Sequence, residues 1–261
     1  MVRKENYPHN ERMIHSSNII VPRGTYQRRL HAPRVKKIAD TFDERIANPP
    51  KISMRDGKYY VFDGQHTIAA RKLLNNGHDL LIRCKVYYNM TEQEEALLFA
   101  QQTGTSARLS PGVRIRALIF GGDPEAVAFN NAVESLGLML DFDHKAGKYR
   151  ISSVGTAFEA YKRIGEEKFK EAMSIIIAAW HGEPNSFVRA NVTAMTYFVD
   201  LYKGDYDRGR LISALSVIDP LFIGREGKLA AGNLFGYKKY LYQVYRIYNG
   251  CKKQYALPMK F

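Results

Sequence analysis

Four small or polar residues, Asp63, Gly64, Gln65 and His66, stand together between two apolar segments of the chain. The segment before them, KYYVF, has the composition of a buried strand, and the segment after them, TIAARKLL, has that of a helix. A helix N-terminus leaves backbone N–H groups unpaired and carries partial positive charge, so the turn that leads into it can seat a phosphate. Gln65 and His66 could add donors, and Asp63 could hold a metal ion, fix the tautomer of His66 or accept a proton.

The same residues also suit a purely structural turn. Asp63 or Thr67 would then cap the helix, and Gly64 would supply the bend. Both interpretations place a strand end and a helix start at this corner. They differ in whether the amide end of the helix faces a ligand.

Strands and helices alternate on both sides of the corner. Residues 18–22 predict a strand, residues 32–46 a helix, and residues 51–54 and 58–62 a hairpin that turns at Asp56-Gly57. After the corner, residues 80–88 predict a strand, Thr91 and Glu94 a capping box, and Ser110-Pro111 the start of a further helix.

Beyond Gly121-Gly122 the pattern becomes mainly helical. A short β-ribbon with a hairpin loop at residues 143–147 interrupts it, and the helical segments are 123–136, 153–163, 165–180, 186–202, 207–218 and 234–249. The fold class expected is therefore α+β, in three parts. These are a flexible arm over residues 1–15, a mixed α and β domain over residues 16–121 and a helical domain over residues 122–261.

Three separated segments resemble the boxes of the ParB/sulfiredoxin superfamily in order and spacing. NIIVPRGTYQRRL is similar to the opening strand and Gln-Pro-Arg box, KYYVFDGQHTIAA to the second box, and EEALLFAQQTGTSARLSPGVRIRA to the third. The resemblance spans residues 17 to about 120 and implies a ParB/sulfiredoxin-like domain with a small mixed sheet. The spelling DGQHR belongs to a branch associated with DNA modification, whose last arginine is Thr67 here.

The resemblance also implies a nucleotide-phosphate pocket, with Mg²⁺ and a nucleoside di- or triphosphate as its cofactor. Asp63 and His66 would be the catalytic groups, after the precedent of a free-serine kinase branch that carries DGHHR. The phosphate-binding residues that it implies are Gln27, Arg28, Arg29, Gly64, Gln65, His66, Thr67, Gln102 and Thr103.

This chain departs from the superfamily at the same corner. The chromosome-partitioning members carry Glu-Arg-Arg where this chain has Gln65, His66 and Thr67, so CTP is not singled out as the nucleotide. The sulfiredoxin reaction is excluded, because it needs a thiolate at the turn and a glutamine cannot act as a sulfur nucleophile.

The charge of the chain favours polyanionic partners. It carries 39 Lys and Arg against 26 Asp and Glu, a formal net charge of +13, which points first to nucleic acids and nucleotides. Arg108, Arg114 and Arg116 are candidate DNA-binding residues, with an exposed helix face as the plainer alternative. The tyrosines of residues 237–248, interleaved with lysines, could stack on bases, although at least half of them are expected to pack in the core.

No metal site is expected in the second half of the chain, and no membrane-spanning segment is expected anywhere in the sequence. Asp141, Asp143 and His144 have the spacing of a hairpin loop, and no second cluster completes a coordination shell. The two cysteines lie in unrelated contexts and indicate a reducing compartment. No apolar segment is long enough to span a membrane, so a cytoplasmic protein without a membrane partner is predicted.

The sequence thus predicts a ParB-like nucleotide- and DNA-associated protein of a mobile element, phage or plasmid. If it is an enzyme, the reaction would be Mg-dependent NTP hydrolysis or phosphoryl transfer. Two alternatives stay open: a DNA-binding regulator without catalytic activity, and a ParB-like nuclease, for which no carboxylate cluster is present. Turnover, the choice of nucleotide, the DNA sequence, the role of residues 122–261 and the oligomeric state, including a homodimer, are left open.

Overall fold

A computed structural model describes residues 7–101, 109–143, 145, 147–229, 234–250 and 256–261. The chain is α+β and forms two compact units, Met1–Asp123 and Pro124–Phe261. The division lies two residues beyond the boundary expected from the sequence. No described helix is both long and apolar enough to cross a membrane.

The first unit is built on a mixed five-stranded sheet. Its strands are β1 (His9–His15), β2 (Ile19–Ile20), β3 (Lys51–Arg55), β4 (Lys58–Asp63) and β5 (Leu81–Tyr88). Their order is β1-β5-β3-β4-β2, with β5 parallel to β3, β2 parallel to β4 and the other pairs antiparallel. The β3–β4 hairpin is confirmed, and positive φ at both Asp56 (51°) and Gly57 (71°) gives the tight turn that matches strand twist.

Strand β1 corrects the expectation of a flexible arm for residues 9–15, while residues 1–6 of the predicted arm lie outside the described residues. His9–His15 pairs along its whole length with β5, from His9 opposite Tyr87 to His15 opposite Leu81. Only Ile14 of this strand is buried. The strand is held by its backbone ladder, which leaves almost no hydrophobic signal in the sequence.

Helices cover both faces of this sheet. The helices are α1 (Ala32–Asp40), α2 (Gln65–Leu74), α3 (Glu92–Ala100) and α4 (Pro111–Phe120). Val61 of β4 packs with Ile68 of α2, whereas the next residue, Phe62, packs with Phe99 of α3. Successive strand residues point to opposite faces, so α2 and α3 lie on opposite sides of β4. The capping box of Thr91 and Glu94 and the helix start at Ser110-Pro111 are present as predicted.

The second unit is mainly helical. Its helices are α5 (Pro124–Glu134), α6 (Val154–Trp180), α7 (Arg189–Tyr202), α8 (Arg208–Ser216), α9 (Phe222–Leu229) and α10 (Lys238–Asn249). Gly165, at φ 77°, breaks α6 where the sequence separates two helices. Helix α9 was not predicted, because Gly224 and Gly227 weaken its helical pattern.

The predicted β-ribbon of the second unit has a different topology. Strands β6 (Met139–Leu140) and β7 (Arg150–Ile151) run parallel, so the expected hairpin around residues 143–147 is wrong. Tyr149, at φ 57°, directs the chain so that its carbonyl accepts from the N–H of Met139 and its own N–H donates to Gly182.

Candidate functional site

The corner after β4 is fixed by a residue without a side chain. Gly64 is the N-cap of α2 and has φ 97°, a left-handed conformation that glycine adopts at little cost. A Cβ at this position would lie 3.0 Å from both Cα and Cβ of Pro50. In the described structure neither Asp63 nor Thr67 caps the helix, so the purely structural role proposed for them does not hold.

The N-termini of two helices meet at this corner. The backbone N–H of His31, the N-cap of α1, donates to Nε2 of His66 in the first turn of α2 at 3.2 Å. Neither helix has an acidic residue in its first turn, and no described side chain caps either N-terminus. Among the described residues, no carboxylate in the first turn and no side-chain cap offsets the partial positive charge of either helix.

Two arginines add full charges to the same place. Arg28 and Arg34 lie close enough for Arg34, together with burial, to lower the pKa of Arg28, while Asp63 opposes the shift. Burial is the larger cause. Within the described part of the chain neither guanidinium forms an ion pair with a carboxylate, and Nε of Arg28 is buried without a hydrogen-bond partner. Buried guanidinium N–H groups are strong donors to anionic oxygens, so this arrangement has the chemistry of an anion site.

Asp63 forms its ion pair with a lysine and not with either of these arginines. Its Oδ2 lies 3.0 Å from Nζ of Lys51, the residue directly opposite it in the β3–β4 ladder. The carboxylate of Asp63 therefore lies at the wall of the cleft and is ion-paired with a lysine of the neighbouring strand.

His66 is neutral in the folded protein. Burial is the main reason that its pKa falls to about 4, and the nearby charges of Arg28, Arg34 and His31 lower it further. Because Nε2 accepts the N–H of His31, the proton of the neutral ring is on Nδ1. His66 therefore joins the starts of α1 and α2 and is not a proton carrier near neutral pH.

Gln27 and Gln65 form a buried link between the loop and the corner. Nε2 of Gln27 donates to the carbonyls of Val61 (3.1 Å) and Phe62 (3.0 Å). Nε2 of Gln65 donates to Oε1 of Gln27 (3.0 Å) and to the carbonyl of Arg28 (2.9 Å). Sequence reasoning assigned both amides to phosphate binding. Here the N–H groups of Gln27 bind the backbone of β4, and those of Gln65 bind Gln27 and the carbonyl of Arg28.

A second buried network also holds the loop that carries Arg28. Glu95 of α3 is fully buried and accepts from the hydroxyl of Tyr26 (2.8 Å) and from Nε of Arg55 (2.7 Å). On α4, Nη2 of Arg116 donates to the carbonyl of Gly24 at 2.9 Å. The loop that carries Arg28 is therefore attached to β4, α2, α3 and α4 of the first unit.

These groups surround an open cleft with a cavity volume of about 40 Å³, or about 350 Å³ when the adjoining solvent space is included. Asp63 is the single carboxylate that lines it among the residues the structure describes. The lining is formed by Gln27, Arg28, Arg34, Ile38, Phe62, Asp63, Gly64, Gln65, His66, Thr67 and Phe99.

Several residues predicted for the site lie elsewhere or outside the described chain. Arg29 and Arg114 are exposed and do not line the cleft. Gln102, Thr103 and Arg108 lie outside the described residues. Arg34 is the cleft residue that sequence reasoning missed. Its signal was a cation in the first turn of α1, where the helix dipole disfavours positive charge unless an anion is close.

The other candidates in the second unit have structural partners. Oδ1 of Asp141 accepts from the backbone N–H of Lys145 at 3.0 Å, Asp143 lies 3.9 Å from Nζ of Lys145, and His144 is outside the described residues. No group of three metal-binding side chains occurs in the described ranges. Tyr248 is buried and its hydroxyl accepts from the N–H of Asp207, while the Tyr245 hydroxyl donates to the carbonyl of Leu257.

A family model matches residues 21–261, which include the whole corner and all of the second unit. The chain belongs to DUF6551, a family of unknown function. No curated protein matches the chain. In this DUF6551 chain the match begins at Val21, after β1, so the cleft residues all lie within the matched region.

Proposed function

We propose that the cleft at the start of α2 binds the phosphate groups of a nucleotide. The observation that carries this proposal is the pair Arg28 and Arg34, which lack carboxylate partners among the described residues and lie where two helix N-termini meet. Guanidinium groups and free helix amides are the donors that phosphate oxygens accept best, and a phosphate would supply the missing partner of Arg28 Nε.

The resemblance to the ParB/sulfiredoxin superfamily supports a nucleotide as the carrier of that phosphate. The three boxes of the resemblance contribute Gln27 and Arg28, the Gly64 corner, and Phe99 to one cleft. Asp63 fits as the one protein ligand of a phosphate-bound Mg²⁺, since this ion keeps several waters and needs few carboxylates. When bound, Mg²⁺ would neutralise charge on the phosphates.

Binding is the central part of the proposal, and turnover is its second part. Asp63 is paired with Lys51, and His66 is neutral with its Nε2 occupied, so neither group stands ready as a general base. These states favour a nucleotide-binding protein with DNA as its partner over a fast phosphotransferase. Its net charge of +13 supports the DNA part.

The test is thermal unfolding of the full chain with CTP, ATP, GTP or ADP in the presence of Mg²⁺. A ligand at a hundred times its Kd stabilises the native state by about 2.7 kcal/mol, which raises Tm by several degrees. We expect a rise with at least one nucleotide, and loss of most of it in Arg28→Gln and in Arg34→Gln. Arg12→Gln removes an exposed arginine of β1 from the same unit and serves as the matched control.

An absence of any rise, or an equal rise in the two cleft variants and the wild type, would contradict the proposal. In that case the second candidate, a DNA-binding regulator without turnover, would gain support from DNA affinity that falls steeply with salt and ignores nucleotide. This candidate is favoured because Asp63 is ion-paired with Lys51 and His66 is neutral with its Nε2 occupied.

A further inference from the structure

Helices α9 and α10 present five cations that form no ion pair with a described carboxylate, whereas six cations in other parts of the second unit do form such pairs. Elsewhere on this unit, Lys162, Arg163, Lys168, Lys170, Lys203 and Lys260 all form ion pairs with carboxylates. On α9 and α10, in contrast, none of the five lysines and arginines forms an ion pair with a described carboxylate. They are Arg225, Lys228, Lys238, Lys239 and Arg246, and Glu226 is the one acidic residue of either helix.

Close packing of the two helices brings these cations together. A Cβ on Gly227 of α9 would lie 2.6 Å from the ring of Tyr240 and 3.2 Å from the carbonyl of Lys239. Glycine at this position therefore allows Lys228 and Lys239 to lie on adjoining backbones. Arg225 and Lys228 share a face of α9 at i and i+3, and Lys239 and Arg246 share a face of α10 at i and i+7.

A large aromatic side chain stands exposed at the start of this basic surface. Phe235 is 79% exposed, and its carbonyl accepts the N–H of Lys238 at the beginning of α10. Tyr237, two residues on, is already stacked on Tyr197 with 3.7 Å between ring centroids. Tyr237 is thus committed to the fold, whereas the ring of Phe235 is available to a ligand.

We propose that this α9–α10 surface binds single-stranded nucleic acid. The cations would track the phosphate backbone, and Phe235 would stack on a base, which a single strand can offer and a paired duplex cannot. The site lies within the second unit and is separate from the nucleotide cleft of the first unit. It does not depend on the nucleotide proposal.

The test is fluorescence anisotropy of the full chain with a labelled oligothymidylate of about twenty nucleotides, in a series of salt concentrations. Loss of one stacked base by Phe235→Ala is expected to weaken binding about 5- to 100-fold without changing the salt slope. The double variant Lys238→Gln with Lys239→Gln is expected to reduce the slope of log K against log salt by roughly 0.7 for each charge removed.

Matched controls separate this surface from general effects of charge and exposure. Lys170→Gln removes a lysine that is paired with Glu166 on α6, and Ile46→Ala removes an apolar side chain that is also 79% exposed. Neither control should change the affinity by more than about twofold. Equal Tm values across the set establish that all variants are folded.

Three outcomes would overturn the proposal. The first is unchanged affinity in Phe235→Ala and in the double lysine variant. The second is binding of a duplex as tight as that of the single strand, with no effect of Phe235→Ala, which would indicate phosphate contacts alone. The third is binding of phosphatidylserine-containing vesicles, lost in the same variants, with none to the oligonucleotide, which would assign the surface to anionic lipid.

Discussion

Replacing Gly64 by alanine tests the geometry on which the candidate site depends. A non-glycine residue in the left-handed region costs about 1 to 2 kcal/mol. At Gly64 the new Cβ would also lie 3.0 Å from two atoms of Pro50, and relieving that contact adds about 1 kcal/mol of overpacking. Alanine also lowers the entropy of the unfolded chain, which stabilises the folded state by about 0.4 to 1 kcal/mol. We therefore expect a net loss of about 1 to 2.5 kcal/mol of unfolding free energy.

Gly122→Ala is the matched control, because Gly122 has φ 76° in the same unit but no atom lies within 4 Å of its Cβ position. It should be less destabilising by about 1 kcal/mol, the contribution of Pro50. Native-state hydrogen exchange on the amides of β3, β4 and β5 is the suitable assay, since the one tryptophan, Trp180, lies in the other unit. Equal effects of the two substitutions would refute the close approach of Pro50 and Gly64, and with it the stated geometry of the corner.

The remaining predictions concern the groups around the cleft. Arg34→Gln removes like-charge repulsion from Arg28, so in urea unfolding the unliganded unit should be as stable as the wild type or slightly more stable, while stabilisation by nucleotide decreases. A clear loss of stability would show that Arg34 has a structural role instead. Because the pKa of His66 is lowered to about 4, the unfolded chain binds a proton at a higher pH than the folded chain does. The contribution of neutral His66 to the free energy of unfolding is therefore fully present above about pH 6.5 and decreases as the pH falls toward 4. From pH 7 to 5 the wild type should lose about 1 to 2 kcal/mol more than His66→Asn, and parallel pH profiles would contradict this. Glu95→Ala leaves Arg55 and Tyr26 without their buried acceptor, so it should lower the free energy of unfolding, measured by hydrogen exchange, by about 3 kcal/mol. Tyr26→Phe should lower it by about 1 kcal/mol. Equal small losses would indicate that water reaches the network.

Local signals in the sequence were sufficient for most elements of the first unit. The Asp56-Gly57 turn, the Thr91 capping box and the helix start at Ser110-Pro111 each depend on a few neighbouring residues, and each is present where it was predicted. Two of the failed predictions concern non-local strand pairing. Strand β1 is held by pairing with β5, more than sixty residues away, and the parallel pairing of β6 with β7 depends on the turn at Tyr149.

The candidate site divides in the same way. The sequence was sufficient to predict the Gly64 corner, the start of α2 beside it and the basic loop that contains Arg28. Glycine in a strand-to-helix turn and clustered arginines can both be recognised in the linear pattern. Only the tertiary structure decided what each polar side chain does. The amides of Gln27 and Gln65 face inward to backbone carbonyls, Asp63 is paired across the hairpin, and Arg34 enters the cleft from another helix. Whether a donor faces a ligand or another part of the protein depends on which distant segments fold against it, and that information is not contained in local residue types.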